Sequence, residues 1–158
     1  MRKITAIAAA AVAVATMLSG SAHAASKRPF PADPHPWDKR VKCQQTDPDG
    51  RHVVTRRGNS ELGWYHFYSR HNIRTCEIIN DAIQGNVDHD DHHGRLEYDG
   101  VAFETGPRPR QVKYTVYVQY TQKTKDGRYD AGRGQKIGVF NAFCHNQPRN
   151  KCPDWMNR

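Results

Sequence analysis

Beyond residue 18, this 158-residue chain has no apolar run long enough to span a bilayer, which takes about 20 residues. It has no C-x-x-C pair, no H-E-x-x-H helix and no glycine-centred calcium loop, so the common zinc and calcium frameworks are excluded. No internal repeat is visible, which removes solenoids and propellers. Acidic residues are in deficit, 16 against 24 Lys and Arg, for a formal net charge of +8. The acids are interspersed among the bases, so the charge marks no separate basic tail.

The first feature present is a leader. Met1, Arg2 and Lys3 form a basic start, residues 4–18 are almost wholly apolar, and Ala22-His23-Ala24 closes a small-x-small pattern. Residues 1–24 read as a signal peptide, with a secreted, extracellular mature chain beginning at Ala25. Its removal takes away Arg2 and Lys3 and no acid, which leaves 22 bases, 16 acids and a net charge of +6 over 134 residues. That length suits one domain with a modest core. The charge suits RNA or another anionic polymer as a partner, without stable membrane insertion.

Residues 25–39 hold Pro29, Pro31, Pro34 and Pro36 without periodicity and read as an extended linker, with Trp37 free to dock on the body. A single domain follows over residues 40–158. Residues 39–43 and 52–55 read as strands joined at Asp47-Pro48-Asp49-Gly50, where proline presets one dihedral and glycine permits a positive one. Four cysteines, Cys43, Cys76, Cys144 and Cys152, in an exported chain imply two disulfides with three connectivities open. A local Cys144–Cys152 bridge closes most easily, leaving Cys43 with Cys76.

Residues 63–86 are the densest block. Ile73, Cys76, Ile79 and Ile83 recur at helical spacing, with Ile78 and Ala82 widening the stripe. Asn72 reads as the N-cap and Gly85-Asn86 as the stop of a helix of about three turns. Next come six consecutive ligand-competent residues, Asp88, His89, Asp90, Asp91, His92 and His93, a pattern more typical of a solvated loop than of a metal site. No metal or other cofactor is called for.

The remainder reads as sheet. Asp99-Gly100 is a hairpin signal between Leu96-Tyr98 and Val101-Phe103. The run QVKYTVYVQYT alternates Val112, Tyr114, Val116, Val118 and Tyr120 on a core face with Lys113, Thr115, Tyr117 and Gln119 on a polar one. Residues 136–144 carry apolar side chains on both faces and read as a central strand. The expected fold class is α+β: one main helix packed on an antiparallel sheet of about four strands, stapled by disulfides.

The chemistry gathers at His66, Arg70 and His71. Two imidazoles and a guanidinium suit metal-free cleavage of a phosphodiester: one ring removes the 2′-hydroxyl proton, another acid protonates the leaving oxygen, and the arginine stabilises the phosphorane-like charge. Five residues on a helix is a rotation of about 140°, so the rings are expected to meet only if the chain breaks between them, near His71-Asn72. The W-x-H-x-x-x-R-H block ahead of a helix, followed by basic antiparallel strands, resembles the small bacterial toxin-type ribonucleases of the barnase, EndoU and colicin-like fold. The resemblance spans residues 63–144 and is one of arrangement. It implies RNA cleavage without metal on an open sheet face, with His66, Arg70 and His71 as matching catalytic residues. The facing argument adds Lys113 and Tyr117 as substrate contacts, and Arg110 at the end of the preceding loop is a further one. The expected function is a secreted basic ribonuclease or toxin-like effector, with RNA and an immunity or inhibitor protein as partners. The alternative is a non-catalytic, disulfide-stapled binding or inhibitor module that presents the loops at 106–110 and 144–152.

Overall fold

A computed structural model describes residues 35–158; the expected signal peptide and most of the expected linker lie outside the described residues. Strands β1 (Asp38–Thr46) and β2 (His52–Gly58) form an antiparallel hairpin. Helices α1 (Trp64–His71) and α2 (Cys76–Ile83) follow. Strands β3 (His89–Asp90), β4 (Arg95–Glu104), β5 (Arg110–Gln119) and β6 (Gly138–Cys144) then make a four-stranded antiparallel sheet in that order. Short 3-10 turns at Pro148–Asn150 and Asp154–Asn157 carry the chain back to the helices. The class is α+β, as the order of patterns predicts.

The alternation of β5 becomes the core face of the sheet. Val112, Tyr114, Val116 and Val118 are buried against Ile78, Ile79, Ala82 and Ile83 of α2, with Leu96, Tyr98, Val139 and Ala142 completing the cluster. Trp64 and Phe67 bring α1 into the same core. Disulfide Cys43–Cys76 ties β1 to α2, and Cys144–Cys152 closes the polar loop after β6. Trp37 sits edge-on to Tyr129, with ring centroids 6.0 Å apart, in a smaller cluster with Leu62, Ala131 and Ile137.

Three expectations are corrected. The single helix is two, because Asn72 adopts a left-handed conformation (φ 57°, ψ 36°) that ends α1. Asn72 does not cap α2, which starts at Cys76 with Thr75 at the N-cap position; its Nδ2 donates instead to the Cys152 carbonyl (2.8 Å) and to Asp154 (2.9 Å). Asp99-Gly100 is no turn: β4 runs through it in unbroken register with β5, from Arg95 opposite Gln119 to Glu104 opposite Arg110. The Tyr114 ring lies directly on Gly100, where any Cβ would collide with it, so packing across the sheet overrides the local turn signal. Finally, β6 is the edge strand of its sheet. Its free edge is covered by β2, whose Val54 carbonyl lies against Gly138, and by the Gly63 N–H, which donates to the Phe140 carbonyl (2.9 Å). A bulge between Tyr117 and Val118 leaves Phe140 unpaired, which breaks the alternation of β6.

Candidate active site

Helix α1 presents the histidines. Its entry residue Gly63 has φ 77°, and a Cβ there would come within 2.8 Å of the Arg56 carbonyl, so only glycine lets the helix start against β2. Trp64 and Phe67 anchor the inner face, while His66 and Arg70 lie outside it and His71 is the last helical residue. The expected break between the two histidines is absent: α1 is continuous from Trp64 to His71 and ends only at Asn72, so the two histidines meet from within one helix. Their rings lie 5.3 Å apart, centroid to centroid, at 71°.

His66, Ser69, Arg70, His71, Arg149 and Lys151 line a cleft of about 570 Å³. Three permanent cations and two imidazoles face it, and no carboxylate does. The last two cations come from the loop clamped by Cys144–Cys152, whose Asn146, Arg149 and Asn150 all have positive φ. Asparagine tolerates that conformation, whereas an arginine in it costs roughly 1–2 kcal/mol. The loop is fastened to α1 by the Cys152 N–H, which donates to the His71 carbonyl (2.8 Å).

Burial, the charge of His66 and that of Arg70 all push His71 below the ordinary histidine range. The backbone of Asn150 and Arg149 passes close enough to offset this in part, yet the buried Nδ1 has no well-aligned hydrogen bond. His71 is therefore a neutral imidazole at neutral pH. His66 has its Nδ1 bonded to the Ser60 carbonyl (2.8 Å); a carbonyl only accepts, so Nδ1 carries the hydrogen and Nε2 is left for the cleft.

The polar sheet face adjoins the cleft through Phe143, whose ring is 5.6 Å from His71 and 5.3 Å from His145. Tyr117 stacks on Phe143 at 5.4 Å, and the Arg95 guanidinium sits 4.8 Å over the Tyr117 ring. Burial first, then the neighbouring Glu97 carboxylate, pushes the Tyr117 hydroxyl up, so it remains a protonated donor. Nε2 of His145 is 2.6 Å from Thr115 Oγ1, which donates to Asp99 Oδ1 at 2.5 Å.

Of the residues expected from the sequence, His66, Arg70 and His71 share the cleft, and Tyr117 lies beside it through Phe143. Lys113 is exposed on β5 without lining the cleft. Arg110 lies elsewhere: it pairs with Glu104, stacks 5.7 Å over Trp155 and lines a separate hollow with residues 104–108. Sequence reasoning missed Arg149, Lys151 and His145, which only the disulfide loop and strand register bring into place. The carboxylates of 88–93 cap their own loop, Asp90 accepting from the His92 N–H and Asp91 from those of His93 and Arg95. Among the described residues no three histidine, cysteine or acidic side chains gather as a metal cluster.

No protein-family model, curated protein or solved structure matches this chain. The two disulfides are compatible with an oxidising, extracellular setting. Among the described residues, no helix is long and apolar enough to cross a membrane.

Proposed function

We propose that the protein is an exported ribonuclease of toxin-like type, cleaving RNA by histidine acid–base chemistry without a metal ion. The observation that carries this reading is the cleft in which His66 and His71 stand beside Arg70, Arg149 and Lys151 with no carboxylate among them. Such a site attracts a phosphodiester and repels a divalent cation. His71, held neutral, takes the proton of the ribose 2′-hydroxyl, and the cations carry the charge that builds on the phosphoryl oxygens. His66 adds a second ring to the cleft, and a proton on it disfavours one on His71.

The test is cleavage of RNA by the purified, oxidised protein in excess EDTA. RNA should be cut and DNA spared, since DNA lacks the attacking hydroxyl. His71→Ala should lower the rate by about 10²–10⁴-fold. The acid limb of kcat/KM should lie below the ordinary histidine value of about 6.5. Protein that cuts neither polymer would leave the binding-module reading. Its own support is the exposed pair Val101 and Phe103, 43% and 67% accessible, near the 106–110 loop.

A further inference from the structure

We propose that His145 is the general acid of this reaction, with Thr115 and Asp99 positioning it; the inference rests on the RNA-cleavage reading above. In-line displacement at phosphorus puts the attacking and leaving oxygens on opposite sides. His66 and His71 are in ring contact, so a phosphate that reaches both meets them side by side. A phosphate over Phe143 instead has within reach two imidazoles that are not in contact through α1, with His71 5.6 Å and His145 5.3 Å from that ring.

The proton sites of His145 follow from its partners. The Thr115 hydroxyl has one hydrogen, and the Asp99 carboxylate, which only accepts, takes it. Thr115 Oγ1 must then accept from His145, so Nε2–H is present in both the neutral and the charged ring. Nδ1 is the nitrogen left to exchange a proton with substrate. The chain is held along its length: the Asp99 N–H donates to Asp88 Oδ2 (2.7 Å), Thr115 is 2% exposed, and the His145 backbone N–H donates to the Lys113 carbonyl (2.8 Å). The titratable groups on the elements beside the ring are Asp99 on β4, Lys113 on β5, whose backbone pairs with His145, and the neutral His71 of α1 on the other contact of Phe143.

In the step itself, His71 takes the 2′-hydroxyl proton as the O2′–P bond forms. The P–O5′ bond breaks, and His145 gives its Nδ1 proton to the departing O5′. The products are a 2′,3′-cyclic phosphate and a 5′-hydroxyl, with one proton taken up and one released by the protein.

The experiment compares two substrates on the oxidised full chain in EDTA: uridylyl-adenosine, and uridine 3′-(4-nitrophenyl phosphate), whose leaving group departs unprotonated. His145→Ala should lower kcat on the dinucleotide by about 10²–10⁴-fold and on the nitrophenyl ester by less than about 10-fold. Thr115→Val should show the same split more weakly. His145→Gln, checked by circular dichroism, guards against a folding artefact. Equal losses on both substrates, or no loss on the dinucleotide, would overturn the acid role while leaving the ribonuclease reading in place. A wild-type protein inert on both substrates would overturn the reading, and the acid role with it.

Discussion

Removing the two disulfides one at a time should separate stability from activity. In the chain-entropy account, a bridge restricts the unfolded chain more when it closes a longer loop. Cys144 and Cys152 are 8 residues apart, and Cys43 and Cys76 are 33 apart. The corresponding costs of opening them are about 2.6 and about 3.8 kcal/mol. For a domain of this size 1 kcal/mol moves Tm by about 4 °C, so the expected losses are near 10 and near 15 °C. Cleavage should follow the opposite order. Cys43–Cys76 joins β1 to α2, and neither element lines the cleft. Cys144–Cys152 holds the loop that places Arg149 and Lys151 there. Each cation bonded to a phosphoryl oxygen contributes about 1.5–3 kcal/mol, so releasing both should lower kcat/KM by roughly 10²–10⁴-fold. The variants are Cys144→Ala with Cys152→Ala, and Cys43→Ala with Cys76→Ala. Each is followed by thermal circular dichroism and assayed on RNA about 20 °C below the lower Tm. Full activity in the folded Cys144/Cys152 variant, or an equal loss in the Cys43/Cys76 variant, would refute the placement of the site.

Acid should weaken the fold through Asp47, which is 3% exposed and accepts from Tyr98 Oη (2.8 Å) and Arg51 Nε (2.6 Å). Burial alone would raise this carboxyl, but those donors hold it below its ordinary value. The stability it contributes is therefore full above about pH 4 and lost as pH falls through the folded-state value. Urea midpoints should drop in that window for wild type and stay flatter for Asp47→Asn. Gly100→Ala should cost about 1–3 kcal/mol by driving a Cβ into the Tyr114 ring; a double-mutant cycle with Tyr114→Ala that came out additive would show that the ring is not the obstacle. RNA binding should weaken steeply with salt as counterions are released. An affinity flat between 50 and 200 mM salt, the span of about 50–200 mM over which phosphate-binding proteins lose most affinity, would mean that the cleft cations do not meet phosphate.

The parts legible in the sequence are those that depend on local period or on loop length. The alternation of β5 is visible because a half-buried strand shows its core face every second residue, and Val112, Tyr114, Val116 and Val118 all reach the core. The stripe of α2 is visible for the same kind of reason, and the short polar loop between Cys144 and Cys152 points to its bridge. Boundaries fail where a distant partner decides. Asn72 has the chemistry of an N-cap, yet it takes the left-handed conformation that ends α1, with its Nδ2 fastened to Cys152 and Asp154, and α2 starts only after Thr75. Asp99-Gly100 has the chemistry of a turn, yet Tyr114 needs a flat strand beneath it. At the site, His66, Arg70 and His71 are legible because one helix carries all three. Arg149, Lys151 and His145 are not, since no sequence period links a residue to a partner across a sheet or a bridge.

The junction at Asn72 also sets when, during synthesis, the cleft can assemble. Besides the bonds to Cys152 and Asp154, the Asn72 carbonyl accepts from Asn157 Nδ2 and the Arg74 N–H donates to Asn157 Oδ1. These partners are 80 to 85 residues downstream of the helix ends they fasten. A ribosome adding about 5–20 residues per second delivers them roughly 4–17 s after His71. Over that interval the nascent chain carries its histidines on an unfastened helix, with Arg149 and Lys151 not yet made. A chain interrupted before residue 149 has the imidazoles and half the fold's cysteine chemistry, and no cleft. Synthesis itself thus delays assembly of the cleft to the final moments of translation.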